Sequence, residues 1–522
     1  MPAQAATTRL NLPRRYNAAN HFIDRHVGEG RGEKIVLTDD KGRYSYAELA
    51  RRVNRAANLL KAQGLQMEQR VLLCLLDGVD FVALFWGAIK IGAVPVPANT
   101  LLTASDYDYL LRDSRARLLA VSDALLEKFR PIIGGQPFLD KILVAGTPPP
   151  GAQSLNALME AAGTAVETAP TTPDDVAFWL YSSGSTGQPK GTMHLQANLE
   201  HTAALYGEQA LGTRPDDVGF SAAKLFFAYG LGNAMTLPLH VGGSAVVMAE
   251  RPSPAAVMRM LSRHQPTVFY GVPTLYAAIL ADPLIDRARG SARLRACVSA
   301  GEALPVEIGR RWKERFGVDI LDGIGSTEML HIFLSNRPGD VRLGTTGKAV
   351  PGYELRIVDD QGGDVPDGEI GELLVSGPSS AIAYWNNRAK SLATFQGGWT
   401  RTGDKYTRDA EGYYHYCGRS DDMLKVGGIW VSPFEVESAL AAHPKVLEAA
   451  VVGRADSDRL IKPQAYVVLK PGESASPKLA VELQGFVKTR LAPYKYPRWI
   501  EFLDELPKTP TGKIQRFKLR QG

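Results

Sequence analysis

Short, unbroken apolar runs recur along the first two-thirds of this chain, separated by stretches with helical spacing. "RVLLCLLDG" (70–78), "ARLLAVSD" (116–123), "SAVVMA" (244–249), "TVFYGVP" (267–273) and "LRACVSAG" (294–301) lack an alternating polar face. A strand that is apolar on both faces must be covered on both, as in a parallel sheet between helix layers. Ser45-x-x-Glu48 reads as a capping box, and Leu49, Val53, Ala56, Ala57 and Leu60 follow at helical spacing until Gly64. The alternation predicts α/β layers with mostly parallel sheets. Ligands of such sheets sit beyond the carboxyl ends of strands.

The pattern changes near residue 350. "YELRIVDDQGGDVPDGEIGELLVSG" alternates apolar residues with turn signals and predicts antiparallel hairpins. Beyond "GRSDDMLKVGG" (418–428) comes a compact tail. In it "SPFEVESALAAHP" reads as a capped helix, "EAAVVG" and "QAYVVLK" as strands, and "PKLAVELQGFVKTRLA" as a further helix. A chain of 522 residues exceeds one core. The expected boundary falls at about Asp421, giving an N-terminal domain over 1–420 and a C-terminal domain over 421–522. The fold class is α/β: a large N-terminal domain of layered α/β subdomains plus a β-rich subdomain, with a small α+β C-terminal domain.

Charge and cysteine usage exclude several function classes. Sixty basic against 55 acidic residues leave a net charge of +5 with no clustered basic face, so nucleic acid is not an expected partner. The segment "FVALFWGAIKIGAVPV" contains Lys90 and Pro95 and is too short to span a bilayer, so no membrane is expected. The start, "MPAQAATTRLNLPRRYN", has no apolar core of a signal peptide. Cys74, Cys297 and Cys417 lie far apart without metal-ligand spacing and read as reduced core thiols. The expected location is the cytoplasm.

Six stretches carry chemistry. "YSSGSTGQPKG" (181–191) crowds glycines, hydroxyls and Lys190 into a loop suited to phosphate oxygens, although the common P-loop spacing cannot be read in any register. "SAGEALP" (299–305) places small residues after a strand, where a flat ring can lie against backbone. "DGIGSTE" (322–328) sets Thr327 and Glu328 after a glycine turn, a hydroxyl and a carboxylate suited to phosphate and Mg²⁺. "WTRTGD" (399–404) ends in Asp404, able to accept both hydroxyls of a ribose. "GRSDDMLKVGG" offers Arg419 and a glycine-flanked joint. "PKTPTGKIQR" (507–516) holds Lys513 on a Pro/Gly-punctuated loop.

In this order and at these intervals, the six stretches resemble those of the adenylate-forming superfamily, from about Arg43 to the chain end. That superfamily comprises acyl- and aryl-CoA synthetases, peptide-synthetase adenylation domains and firefly luciferases. "KLFFAYGLGNAMTLPL" and "DGIGSTEMLHIFLSN" look most like the benzoate–CoA ligases. The resemblance implies a ligase using ATP, Mg²⁺ and CoA, in which an acid is joined to AMP before CoA displaces it. It implies that Ser182, Ser183, Thr186 and Lys190 cradle phosphates, that Glu328 holds Mg²⁺, and that Thr327 lies beside the α-phosphate. Gly301, Glu302, Ala303 and Asp322 fall to the adenine side, and Asp404 and Arg419 to the ribose and nucleotide. Lys513 matches the lysine that bridges acid and α-phosphate during adenylation. The C-terminal domain is mobile in this family; Asp421 matches its hinge, and Lys425, Gly427 and Gly428 the face that replaces Lys513 when CoA enters. Ile324 stands where many relatives have a tyrosine against the adenine. Lys190, whose family role is less critical than that of Lys513, also reads as a solvated loop lysine.

Residues 226–232 and 323–332 are the expected acid pocket. "FFAYGLG" lacks the aspartate that pairs with a substrate ammonium in amino-acid-activating relatives, so an α-amino acid is disfavoured. Phe227, Ala228, Tyr229, Gly323, Ile324, Gly325, His331 and Ile332 offer a short, flat, mostly apolar slot that suits benzoate. His331 reads either as a partner for a ring substituent or as a packed structural residue. Substituted benzoates (4-hydroxybenzoate, 2-aminobenzoate), or a stand-alone enzyme loading a carrier protein, are the alternatives. A homodimer is left open, as is regulatory acylation of Lys513, which controls relatives.

Overall fold

The computed structural model describes residues 10–182, 188–420, 422–426, 429–457, 460–492, 494–508 and 514–520. It is a mixed α/β structure with a large N-terminal and a smaller C-terminal domain.

The capping box forms as read. Ser45 Oγ accepts from Glu48 N–H, the Glu48 carboxylate accepts from Ser45 N–H at 2.7 Å, and helix Tyr46–Ala62 follows. Its stripe of Leu49, Val53, Ala56, Ala57 and Leu60 is buried. It crosses helix Val79–Lys90 at Gly87, where a Cβ would lie 2.9 Å from the Ala56 methyl. Helix Val79–Lys90 is buried on every side. Its Lys90 ammonium is satisfied by Asp24 at 2.7 Å and Asn54 at 2.6 Å, so burial does not leave the charge alone.

The five continuous apolar runs all become strands of parallel sheets. One sheet orders Val94–Pro97, Arg70–Cys74, Leu118–Ser122, Lys141–Ala145 and Gln153–Ser154, every pair parallel. Val94–Pro97 holds its two prolines at the edge, where a missing donor is tolerated. The other sheet has nine strands among the described residues. At its centre Ile35–Thr38, Ser244–Val246, Val218–Ser221, Val268–Gly271, Ala296–Ser299 and Ile320–Gly325 run parallel. Ile332–Ser335 and Lys348–Ala349 extend it antiparallel.

The β-rich region pairs Glu354–Val358, Gly371–Ser376 and Trp399–Arg408 antiparallel, as the turn signals predict. In the tail, Ser432 caps helix Pro433–Ala441, Val446–Ala455 pairs antiparallel with Ile461–Leu469, and helix Pro477–Lys488 covers them. Val436, Leu440, Val451, Val467, Leu483 and Val487 form a core of their own.

Two sequence expectations need correction. The sequence, with an apolar run at 176–180 before it, places the loop of 181–191 beyond the carboxyl end of a strand of a parallel sheet, but it does not leave a parallel sheet. It joins Val176–Ser182 to Lys190–Leu195 in a small antiparallel sheet completed by Ala383–Tyr384. The glycines of "DGIGSTE" do not make a turn either; Gly323 and Gly325 lie within strand Ile320–Gly325. A Cβ on Gly325 would meet the His331 carbonyl at 2.5 Å, and one on Gly323 would meet the Ile332 side chain at 3.1 Å. These glycines serve the close return of strand Ile332–Ser335, and the turn falls after them, at Ser326–Leu330.

Candidate active site

Two of the sequence-selected stretches converge where the small antiparallel sheet meets the end of strand Ile320–Gly325. Ser326 Oγ accepts from Met329 N–H at 3.1 Å and Leu330 takes a left-handed φ of 67°, which turns the chain over between the two strands. This places Glu328 against the base of the 181–191 loop. The Ser182 hydroxyl donates to Glu328 Oε1 at 3.3 Å and the Tyr384 hydroxyl donates to the same oxygen at 2.8 Å. The Lys190 ammonium lies over the Tyr384 ring, 4.5 Å from its centroid, and burial lowers its pKa. Ser183 and Thr186 lie outside the described residues.

The Thr327 backbone is held from below. Asn198 Nδ2 donates to His194 Nδ1 at 3.1 Å, so Nε2 carries the proton and donates to the Thr327 carbonyl at 2.8 Å. Asn198 also reaches the Ser379 carbonyl at 3.1 Å, tying the turn to the 379–381 segment. There Ala381 N–H donates to the Glu328 carbonyl at 2.8 Å. Burial holds the His194 pKa down at about 4, so the imidazole is neutral.

The two segments selected as an acid pocket also come together. Phe227, Ala228, Tyr229, Ile324 and Gly325 are partly exposed, while His331 and Ile332 are buried beneath. The Tyr229 hydroxyl is shared by the carbonyls of Gly271 and Val298, each at 3.2 Å. His331 Nε2 donates to Asn233 Oδ1 at 3.1 Å, and its ring lies 5.0 Å from that of Tyr206. Gly232 makes room for it, since a Cβ there would lie 2.2 Å from His331 Cδ2. Burial lowers the His331 pKa to about 3, so this end carries no charge.

On the opposite side, Gly301, Glu302 and Ala303 follow strand Ala296–Ser299 at the surface, and Gly301 has a φ of 93°. Asp322, one strand over, is buried, and desolvation raises its carboxyl well above the usual range. Asp404 lies within strand Trp399–Arg408, and its carboxylate accepts from Arg419 Nη1 at 3.1 Å. Lys425 falls in strand Leu424–Val426. Asp421, Gly427, Gly428 and Lys513 lie outside the described residues. Flanking Lys513, Lys508 and Ile514 form a bridge, and Arg516 binds Glu437 at 2.7 Å.

His194, Asn198, Asn233 and Tyr384 are absent from the sequence-derived set. His194 and Asn198 stand four positions apart, but the groups they hold, at Thr327 and Ser379, lie 133 and 181 positions away, and the partners of Asn233 and Tyr384 lie 98 and 56 away. The three cysteines are buried free thiols, and burial pushes each up to about 12, outside the range of reactive thiolates.

The family model described as AMP-binding enzyme matches residues 24–385, and that of the AMP-binding enzyme C-terminal domain matches 435–513. A benzoate–CoA ligase of Thauera aromatica is 62% identical over 515 residues, 98% of this chain and 97% of that protein. A 4-hydroxybenzoate–CoA/benzoate–CoA ligase of Rhodopseudomonas palustris is 52% identical, with 97% and 94% covered. Among solved structures, a benzoate CoA ligase from Burkholderia xenovorans superposes with a TM-score of 0.90 at 53% identity, covering 97% of this chain and 100% of that one. An anthranilate CoA ligase in complex with anthranoyl-AMP gives a TM-score of 0.94 at 46% identity, with 98% of each chain covered.

Proposed function

This chain belongs to the AMP-binding enzyme family, and on that premise we propose that it activates benzoate as benzoyl-AMP and transfers the benzoyl group to CoA. ATP and CoA are its substrates. A benzoate oxygen bonds to the α-phosphorus of ATP as the bond to pyrophosphate breaks. The CoA thiolate then adds to the acyl carbon and AMP leaves with the former carboxylate oxygen. Both steps need positioning and charge neutralisation more than covalent help from the protein.

The observation that carries the choice of acid is the neutral end of the slot. Residues 227–232 and 323–325 contain no charged side chain, and His331 is held neutral by burial. A substrate ammonium there would lack a partner, while an unsubstituted ring loses nothing. One observation favours 4-hydroxybenzoate as a second reading: His331 Nδ1 is buried without a hydrogen-bond partner among the described residues, an acceptor for a ring hydroxyl. Comparing kcat/KM for benzoate, 4-hydroxybenzoate, 2-aminobenzoate, hexanoate and phenylalanine tests the assignment. Benzoate is expected to lead, and a preference for hexanoate or phenylalanine would overturn it.

Glu328 fits a Mg²⁺ ion that arrives with ATP. No group of three or more His, Cys, Asp or Glu side chains able to cage a metal occurs among the described residues. A lone carboxylate suits a cation that takes its other oxygens from phosphates and water. When bound, the ion neutralises phosphate charge. Around it Ser182, Ser183, Thr186 and Lys190 hold the β- and γ-phosphates and Thr327 faces the α-phosphate. Asp404 accepts from the ribose hydroxyls, Arg419 contacts the nucleotide, and Gly301, Glu302, Ala303 and Asp322 border the adenine.

Lys513 bridges the benzoate carboxylate and the α-phosphate in the first step. The domain boundary lies between residues 420 and 421, and rotation at Asp421 brings Lys425, Gly427 and Gly428 to the site for CoA. Acylating the Lys513 amine would remove its charge and with it adenylation. No helix of the described residues is long and apolar enough to cross a membrane, and the location proposed for the enzyme is the cytoplasm. A homodimeric assembly is a matter for light scattering.

A further inference from the structure

Tyr384 stands between two charged groups that meet the phosphate side of the site. Its hydroxyl donates to Glu328 Oε1 at 2.8 Å, and its ring face carries the Lys190 ammonium. The side chain is only 3% exposed, and its placement is fixed from several directions. It pairs with Thr192 across strand Lys190–Leu195, so it sits opposite the residue two positions from Lys190, on the same face of the strand. Tyr384 N–H donates to Ser391 Oγ at 3.0 Å, and the Phe395 ring packs 5.3 Å away.

The consequence for Glu328 is asymmetric. Ser182 and Tyr384 both donate to Oε1, so among the described residues the hydrogen bonding to this carboxylate falls on one oxygen. Lys190 feels the Glu328 charge, yet among the described residues its ammonium rests on the ring instead of closing on the carboxylate. A direct Lys190–Glu328 pair would neutralise the group that a divalent cation needs. A face-on aromatic ring offers the ammonium a competing seat.

We propose that Tyr384 is a positioning residue for the metal–nucleotide site: its hydroxyl fixes the Glu328 carboxylate with Oε2 left for the cation, and its ring keeps Lys190 from neutralising that carboxylate. This deepens the proposed role of Glu328 and rests on it. Tyr384 touches no reacting atom; it acts through Glu328 and Lys190.

The test uses the full chain, with Tyr384→Phe removing the hydroxyl alone and Tyr384→Leu removing the ring as well. Mn²⁺ replaces Mg²⁺ in a titration with ATP read by electron paramagnetic resonance. The Mg²⁺ dependence of pyrophosphate exchange and the thioesterification of synthetic benzoyl-AMP are measured beside it. Tyr384→Phe is expected to weaken Mn²⁺ binding in the presence of ATP roughly tenfold, as loss of a hydrogen bond to a charged group implies. It should raise the Mg²⁺ needed for exchange by the same factor and leave thioesterification unchanged. Tyr384→Leu is expected to weaken Mn²⁺ binding further, and at ATP concentrations that saturate each variant adding Lys190→Ala should recover part of it. An unchanged Mn²⁺ titration in Tyr384→Phe, or equal loss of both half-reactions, overturns the positioning role. No recovery in the double variant overturns the shielding role. Wild-type protein that itself fails to bind Mn²⁺ with ATP would instead sink the reading of Glu328.

Discussion

Asp404 and Arg419 face each other across the antiparallel strands Trp399–Arg408 and Tyr414–Arg419, with Arg419 Nη1 3.1 Å from Asp404 Oδ1. Gly403, next to Asp404 in its strand, has a φ of 72°, and a Cβ on it would lie 2.8 Å from Arg419 Nη2. The guanidinium therefore lies over the glycine and orients the buried carboxylate before any nucleotide arrives. Asp404→Asn keeps the shape and removes the charge that would accept from ribose hydroxyls. ATP binding by calorimetry is expected to weaken roughly 10- to 100-fold, the range for hydrogen bonds to a charged group.

Gly232→Ala tests the floor of the slot. The added methyl would sit 2.2 Å from His331 Cδ2, so the imidazole or the helix must move. Overpacking of this kind costs about 1–3 kcal/mol. The expected outcome is a lower Tm together with a fall in kcat/KM for benzoate, while ATP binding measured without acid stays as in the wild type.

The buried histidine beneath Thr327 gives a pH dependence of defined sign. His194 is held at about 4 by burial, below its ordinary 6.5. Between those values the unfolded chain binds the proton and the folded chain does not, so stability falls as pH drops from 6.5 towards 4. The full contribution is about 3 kcal/mol, lost by pH 4. Urea unfolding across that window should show a shallower decline for His194→Gln than for wild type. Equal slopes would contradict the assignment of a neutral imidazole donating to the Thr327 carbonyl.

Periodicity exposed those parts of the fold in which one residue's neighbours are set by its own element. The capped helix Tyr46–Ala62, the five apolar strands and the helices of the tail all follow from local pattern. Glycine misled where its purpose was long-range. Gly323 and Gly325 look like a turn by sequence, but they thin a strand so that Ile332–Ser335 can return against it. The loop of 181–191 was legible as chemistry, though its antiparallel setting depends on strand Ala383–Tyr384, almost two hundred residues on. Sequence distance also hid Tyr384 and Asn198, whose partners Glu328 and Ser379 stand 56 and 181 positions away. Glu328, Asp404, Arg419 and the pocket segments stand out in the sequence because hydroxyl, carboxylate and glycine types cluster there within a few positions.

Lys513→Ala is expected to separate the half-reactions. Removing the ammonium proposed to bridge two anions in the first step should lower benzoate-dependent pyrophosphate release by roughly a hundredfold or more, in line with the loss of a charged group stabilising a developing transition state. Thioesterification of synthetic benzoyl-AMP should persist. Loss of that second step in the variant would contradict the division of labour between Lys513 and the Lys425 face.

A carboxylate is made reactive here by union with AMP. Exchange of labelled pyrophosphate into ATP, followed in purified protein without CoA, measures that step alone. Exchange is expected to appear on adding benzoate, to require a divalent cation and to be absent with phenylalanine. Labelled ATP that never forms with benzoate, while the protein stays folded and binds ATP, would contradict it.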